Sequence, residues 1–236
     1  MSVTYEAARD GVAAIRLDDG KVNAMAPAFF DALGGALDQA EAERPAAVVI
    51  IGREGYFSAG LNLKVLPTLA PPEFKQAMTA FGEIMLRVFT FPVPCIAAVT
   101  GHAIAGGAFL AYACDERWVA AGAYKLHVNE VAIALPLPTW ALAIAQTAIP
   151  RRWHTEAILQ ARAYAPAEAL ERGCVDGIVP AGDSVESAAR RAGARLAGLD
   201  LAAYATAKRR MRERDVAWAR KNLEAEAMGL PTRAPV

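Results

Sequence analysis

The chain has 236 residues, of which 55% are hydrophobic and 21% are charged, and this composition excludes an intrinsically disordered chain. Lysine plus arginine and aspartate plus glutamate each number 25, so the formal net charge is zero. A balanced charge argues against general attraction to nucleic acid or to an anionic membrane, and any anionic ligand must be bound by local groups.

The first half of the chain alternates between strand and helix patterns. Two segments rich in β-forming residues flank Asp10-Gly11 and predict a hairpin. Two later runs are apolar throughout, which is typical of strands buried on both faces. The predicted strands are 3–7, 12–17, 46–51 and 95–100, and the predicted helices are 26–43 and 72–89.

The alternation continues in the second half and then stops. A helix is predicted after the Gly106-Gly107 pair, and from residue 201 onward the pattern is helical only. Regular alternation of strand and helix favours an α/β fold, and no linker divides the chain. The further predicted elements are a strand at 116–121, a helix from Thr139, a helix and strand over 166–180, a helix from Ser184 and a helix over 201–228.

Cysteine usage and hydropathy point to a cytoplasmic protein. Cys95, Cys114 and Cys174 are odd in number and lack C-x-x-C spacing, which argues against a disulfide framework and a zinc knuckle. The first residues lack the apolar core of a signal peptide, and no apolar stretch is long enough to predict a membrane span. His102 and the other histidines do not show metal-ligand spacing, so no metal is predicted.

The glycine pair marks a first candidate site. Gly101 and Gly106 have the spacing of a phosphate loop, but Gly107 and Ala108 stand where that motif needs lysine and a hydroxyl. A nucleoside triphosphate site is therefore not favoured. The remaining interpretation is a strand that turns through small residues into a helix, whose first amides can bind a negatively charged oxygen.

A second turn of small residues follows the first buried strand. Ser58, Ala59 and Gly60 again stand after a predicted strand. Such turns are often simple chain reversals, but two strand-to-helix turns that each offer a backbone amide could form an oxyanion hole. Ser58 lies near nucleophile-elbow spacing, yet no histidine can be assigned to it, so a serine hydrolase is not favoured.

The motifs "YFSAGLNLK", "PCIAAVTGHAIAGGAFLAYACD" and "ARAYAPAEALERGCVDGIVP" together resemble the crotonase superfamily, the enoyl-CoA hydratase/isomerase family. The resemblance covers nearly the whole chain. It implies an α/β fold with a crotonase-type spiral of repeated ββα units over residues 1–198 and a C-terminal helical region over residues 199–236. It also implies an acyl-CoA substrate, no cofactor beyond the CoA of that substrate, and a homotrimer or hexamer.

The same resemblance assigns roles to three residues. The oxyanion amides would be those of Leu61 and Gly106, and Glu130, preceded by Asn129, matches the later glutamate of the family. The position of the earlier hydratase glutamate holds Phe109. One carboxylate can move a proton from C2 to C4 of a 3-enoyl-CoA, whereas hydration is shared between two carboxylates, so a Δ3,Δ2-enoyl-CoA isomerase is the preferred interpretation.

The CoA contacts also follow from the resemblance. Ala105, Ala108 and Asn62 depart from the family pattern, and "LPLPTWALAIAQ" replaces its later glycine-rich segment, which predicts a reshaped acyl pocket. Lys208 and Arg209 of the C-terminal helix would reach CoA phosphates of a neighbouring subunit, and a solvated helix face is the equal alternative. The predicted substrate contacts are Lys21, Val22, Ala24, Ala59, Gly60, Leu61, Lys64, Gly106, Gly107, Phe109 and Lys208.

Three alternatives remain open at this point. The first is an enoyl-CoA hydratase with altered machinery, and the second is a noncatalytic acyl-CoA-binding protein. RNA binding, known for some relatives of this fold, is a third alternative. It is disfavoured because the charge is balanced and no basic patch is interleaved with aromatic residues.

Overall fold

The computed structural model describes residues 3–227. It confirms the predicted hairpin, the two buried strands and the predicted helices, and it adds short strands beside the glycine-rich turns. The strands are β1 (Val3–Arg9), β2 (Val12–Leu17), β3 (Ala24–Met25), β4 (Ala47–Ile51), β5 (Gly55–Ser58), β6 (Gly60–Leu61), β7 (Cys95–Val99), β8 (Gly101–Ile104), β9 (Glu116–Ala120), β10 (Leu126–His127) and β11 (Gly177–Val179). The helices are α1 (Pro27–Glu43), α2 (Pro71–Phe89), α3 (Gly106–Ala113), α4 (Thr139–Ala148), α5 (Pro166–Glu171), α6 (Val185–Ala197) and α7 (Leu201–Glu226).

The strands form one large sheet and two small ones. The six-stranded sheet has the order β1-β2-β4-β7-β9-β11, and all its pairs except the β1–β2 hairpin are parallel. The strand after each of β4, β7 and β9 leaves this sheet and joins the parallel sheet β10-β8-β5, and a helix then follows. These successive turns are the predicted repeated ββα units.

Both faces of the large sheet are covered, which is why its central strands are apolar throughout. Every residue of β4 and β7 is buried. One face packs against the main core, to which α1, α2, α3 and α4 contribute, and the other packs against alanines of α6. Central parallel strands with helices on both sides have no solvent face, so they lack the alternation of apolar and polar residues.

The C-terminal helix α7 packs on the core of its own chain. Its residues Val216, Ala219 and Leu223 belong to the main hydrophobic core, and the helix contacts α2 and α4. Asp200 accepts a hydrogen bond from the Ala203 amide at 2.8 Å and so caps the start of the helix. The division of the chain at residues 198 and 199 stays a prediction, and Met228, the predicted helix end, lies outside the described residues.

A buried ion cluster joins α7 to the start of β7. The Asp115 carboxylate lies 2.7 Å from Lys208 Nζ and 3.0 Å from Arg212 Nη2, and it accepts the Cys95 amide at 2.8 Å. The Lys208 side chain is 5% exposed. Its ammonium group is buried and paired within this chain, which favours a structural role, and its predicted contact with CoA phosphates stays a prediction.

Replacing Asp115 by alanine is expected to lower the free energy of unfolding by about 3–5 kcal/mol, because it leaves two buried cations without their partner. The measurement is urea unfolding. Asp215→Ala is the matched control, since Asp215 pairs with Arg214, whose side chain is 94% exposed, and surface pairs contribute little. Equal destabilisation by the two substitutions would contradict the assignment.

Candidate active site

The candidate site lies at one edge of the small parallel sheet. Strands β5 and β10 both pair with β8 in parallel, so the carboxyl ends of the three strands meet at the same edge. Leu61 follows β5, Gly106 follows β8 and Glu130 follows β10. Ligands of parallel α/β sheets bind at the carboxyl ends of strands. The fold therefore brings together three residues that sequence comparison selected from distant segments.

The two glycine-rich turns are in direct contact. A Cβ on Gly60 would lie 2.9 Å from the Gly106 nitrogen and 2.8 Å from the Ile104 oxygen, and the φ of Gly60 is +82°. A Cβ on Gly107 would lie 2.1 Å from the Ser58 oxygen. The glycines are thus required for close backbone approach. Gly107 packs against Ser58 and is not among the residues that line the cavity, and its predicted contact with substrate stays a prediction.

The prediction of two strand-to-helix turns was right for one turn and wrong for the other. Gly106 opens helix α3, where the first amides have no partner within the helix. The turn at Ala59 instead leads from β5 into β6, which pairs with β3 in parallel. The Leu61 amide therefore comes from a short strand. Of the two amides, that of Gly106 lies at a helix N-terminus, where the helix dipole favours a negative charge.

A buried network that sequence reasoning missed holds the first turn. The Ser58 hydroxyl donates to the Asn23 oxygen at 2.7 Å and accepts the Gly60 amide at 3.1 Å. Asn23 is fully buried, has a φ of +52°, and donates its side-chain amide to Phe57 O at 3.1 Å. Asparagine tolerates this left-handed conformation, so the turn-forming stretch "DGKVN" was the available signal. Both Ser58 hydrogen bonds support a structural role for its hydroxyl.

The residue before the second turn is strained. Ala105 precedes α3 with φ +50° and ψ −121°, a conformation that favours glycine. Its amide donates to the His127 oxygen at 2.8 Å, which ties the turn to β10. This geometry gives a physical reason why glycine is favoured at the position that Ala105 occupies.

A cavity of about 430 Å³ opens beside these turns. Its lining includes Leu61, Gly106 and Glu130, and three helices contribute an apolar wall. Pockets of this size accommodate small-molecule ligands. The wall consists of Phe74, Met78 and Phe81 of α2, Trp140 of α4, and Leu223 of α7 with the following Ala227.

Glu130 is a buried carboxylic acid that faces this cavity. It is 8% exposed, and its Oε2 atom has no hydrogen-bond partner among residues 3–227. Burial raises its pKa to about 7, in the direction expected for a carboxyl group in an apolar pocket. A group with this pKa exchanges protons readily near neutral pH, as a general acid/base must.

Phe109 contributes to the apolar surroundings of the cavity. It is 2% exposed and packs edge-on against Trp140 at 5.6 Å between ring centroids, while Trp140 packs edge-on against Phe81 at 4.7 Å. Among the described lining residues, the other carboxylate is Glu226, which accepts the Thr139 amide at 2.7 Å. The aromatic side chain of Phe109 therefore stands where the family resemblance places the earlier hydratase glutamate.

The predicted CoA contacts other than Lys208 and Gly107 lie around the first turn and along the cavity. The Ala59 amide donates to Val22 O at 3.0 Å, and Ala24 lies opposite Gly60 in the β3–β6 pair. Lys21 and Lys64 are exposed. Their contact with CoA stays a prediction.

Two other kinds of feature are absent from the described part of the chain. Residues 3–227 contain no group of three or more histidine, cysteine, aspartate or glutamate side chains placed to hold a metal ion. None of the helices described is both long and apolar enough to cross a membrane.

Known proteins are similar to this chain in sequence and in fold. The enoyl-CoA hydratase/isomerase family model matches residues 7–231. The mitochondrial enoyl-CoA delta isomerase 1 of Rattus norvegicus is 31% identical over 183 residues, 76% of this chain but 63% of the rat protein, so the chain spans less than two thirds of that relative. A putative enoyl-CoA hydratase of Thermus thermophilus is 33% identical over 75% of this chain and 71% of its own length. The apo enoyl-CoA isomerase structure from Mycobacterium tuberculosis has a TM-score of 0.88 and 36% identity, covering 96% of this chain and 97% of that one.

Proposed function

Because this chain belongs to the enoyl-CoA hydratase/isomerase family and has the crotonase fold of that family, we propose that it moves the double bond of a 3-enoyl-CoA to the 2 position. The observation that carries this proposal is Glu130, the single buried carboxylate among residues 3–227, which lines a cavity in which Phe109 occupies the other acid/base position. One carboxylate is sufficient for isomerisation, because the same group removes and returns the proton.

In the proposed reaction the thioester oxygen accepts hydrogen bonds from the amides of Leu61 and Gly106. Glu130 removes a proton from C2, the electron pair delocalises onto the thioester oxygen, and the resulting dienolate is stabilised by the two amides. Protonated Glu130 then delivers the proton to C4, which leaves the double bond between C2 and C3. Each amide donor stabilises the developing negative charge by about 3 kcal/mol.

The apolar cavity supports this chemistry in two ways. Its apolar side chains lower the local dielectric constant, which strengthens the hydrogen bonds to the oxyanion, and burial raises the pKa of Glu130 toward that needed for proton exchange. Asn129 lies beside Glu130 in the lining, and its Oδ1 atom also lacks a partner among the described residues. This arrangement leaves two buried acceptors free to contact a bound substrate.

Hydration is the second candidate, favoured by the likeness to the Thermus thermophilus protein named as a putative hydratase. Hydration would require a second group to position the attacking water or to protonate C2, since Phe109 has no acidic proton. The noncatalytic acyl-CoA binder remains the alternative without turnover.

Incubation with 3-enoyl-CoA and 2-enoyl-CoA panels separates these possibilities by mass spectrometry. We expect a 3-enoyl-CoA to give a 2-enoyl-CoA of unchanged mass. Addition of one water to a 2-enoyl-CoA, without isomerisation, would favour the hydratase. Tight binding with no reaction of any thioester would identify a noncatalytic binder.

We also infer a cytoplasmic homotrimer or hexamer that uses no cofactor beyond the CoA of its substrate. Support for self-association comes from two apolar side chains on α7, Met211 and Trp218, which are 79% and 48% exposed. Support for a reducing compartment comes from three buried free cysteines. Sedimentation of the purified chain would measure the assembly, and a monomer at micromolar concentration would contradict it.

A further inference from the structure

The end of α7 contributes to the lining of the cavity. Leu223 and Ala227 both line it, and α7 packs against α2 and α4. A Cβ on Gly82 of α2 would lie 2.3 Å from Leu223 Cδ1 and 2.9 Å from Trp140 Cδ1. The absence of a side chain at Gly82 thus creates a notch in which Leu223 sits against Trp140.

A polar contact holds this helix end in place. Glu226, the last residue of α7, accepts hydrogen bonds from the Thr139 amide at 2.7 Å and from the Thr139 hydroxyl. Thr139 is 4% exposed and directly precedes Trp140 of the cavity wall. The contact therefore joins the end of α7 to the helix that carries the wall.

Helix α4 has no cap of its own. Its N-cap residue is Pro138, which makes no side-chain capping bond, and its first turn contains no acidic residue. A carboxylate at a helix N-terminus is favourable because of the unpaired amides and the helix dipole. Glu226 supplies this cap from another helix, which explains why the end of α7 is fixed at this place.

We propose that the Glu226–Thr139 contact is a latch that keeps Leu223 and Ala227 in the cavity wall and thereby limits the length of the acyl chain. This inference rests on the proposed acyl-CoA substrate. An acyl group held at the two oxyanion amides extends into a cavity whose lining includes these two side chains. A longer chain requires the space of Leu223 and Ala227, which opens when the latch is released.

The test compares Glu226→Ala with Glu224→Ala, an exposed glutamate on the same helix that does not line the cavity. A second pair is Thr139→Val and Thr147→Val, both on α4, where the Thr147 hydroxyl donates to its own helix at Ala143 O. The readouts are Kd values of saturated hexanoyl-CoA and tetradecanoyl-CoA, which need no turnover, and kcat/KM for the matching 3-enoyl-CoAs.

Both latch variants are expected to shift the ratio of affinities toward the longer chain by about tenfold, the worth of one hydrogen bond to a charged group, with both controls unchanged. A uniform change at both chain lengths, or an unchanged ratio in folded variants, would overturn the latch. If the ratio shifts but no 3-enoyl-CoA is isomerised, the latch stands and the proposed reaction fails. If isomerisation occurs with an unchanged ratio, the reaction stands and the latch fails.

Discussion

Replacing Glu130 by glutamine is expected to lower turnover of a 3-enoyl-CoA by about 10²- to 10⁴-fold, at the upper end because both proton transfers use the same group. Glutamine preserves the shape of the side chain but has no basic form at neutral pH. Binding of acyl-CoA should survive, since the amides of Leu61 and Gly106 are unchanged. The measurements are steady-state turnover and, in parallel, the Kd of a saturated acyl-CoA.

The pH dependence of wild-type turnover is a second test of the role of Glu130. Burial raises the pKa of Glu130 to about 7, and the reaction begins with the ionised form. The fraction of ionised Glu130 increases as pH rises, so kcat/KM should rise with pH and level off above about 7, the pKa of the free enzyme. The Glu130→Gln variant should lose this ascending limb.

Glu171→Gln is the control for this substitution, since Glu171 has an 80% exposed side chain on α5, away from the cavity lining. Its turnover and pH profile should equal those of the wild type. If Glu130→Gln kept turnover within a few fold of wild type with intact binding, another residue would carry the proton and the proposed mechanism would be wrong.

The second large effect is expected for Gly60→Ala, which should lower kcat by about 10²- to 10³-fold, the cost of losing one oxyanion donor. The added Cβ would lie 2.9 Å from the Gly106 nitrogen, so it would force the two turns apart. The φ of +82° at Gly60 adds backbone strain for any residue with a side chain. Turnover is compared with the unfolding midpoint to separate lost catalysis from lost folding.

Gly182→Ala is the control that measures the cost of a left-handed backbone conformation without a steric clash. Gly182 has a φ of +92°, but a Cβ there meets no atom within 4 Å. This variant should lose about 1–2 kcal/mol of stability from the backbone conformation and keep its turnover. Full activity in a folded Gly60→Ala protein would show that the contact between the two turns is not needed for the reaction.

Much of the fold could be predicted because its signals are local. The uniformly apolar β4 and β7 indicated strands covered on both faces, and Pro27 at the first position of α1 marked the start of a helix. The short strands β5, β6, β8 and β10 were not predicted. They contain two to four residues each, and they form through pairing with segments distant in sequence, which leaves little periodicity to detect.

The candidate site was likewise predictable only in part from the sequence. Leu61, Gly106 and Glu130 were selected by resemblance to a family, and the carboxyl edge of the parallel sheet β10-β8-β5 explains why these three lie together. The burial of Lys208 was not predicted, because a basic run on a helix gives no sign of which member is buried. Its pairing with Asp115 depends on how α7 packs against the start of β7.

The sequence by itself determined the alternation of strands and helices and the all-helical C-terminal segment. These properties follow from side-chain periodicity and from the conformations that glycine and proline allow or prevent. The tertiary structure decided which atoms meet: the contact of Gly60 with Gly106, the burial that raises the pKa of Glu130, and the capping of α4 by Glu226. Each of these depends on distances between segments far apart in the chain, and such distances are fixed when the sheets and helices pack.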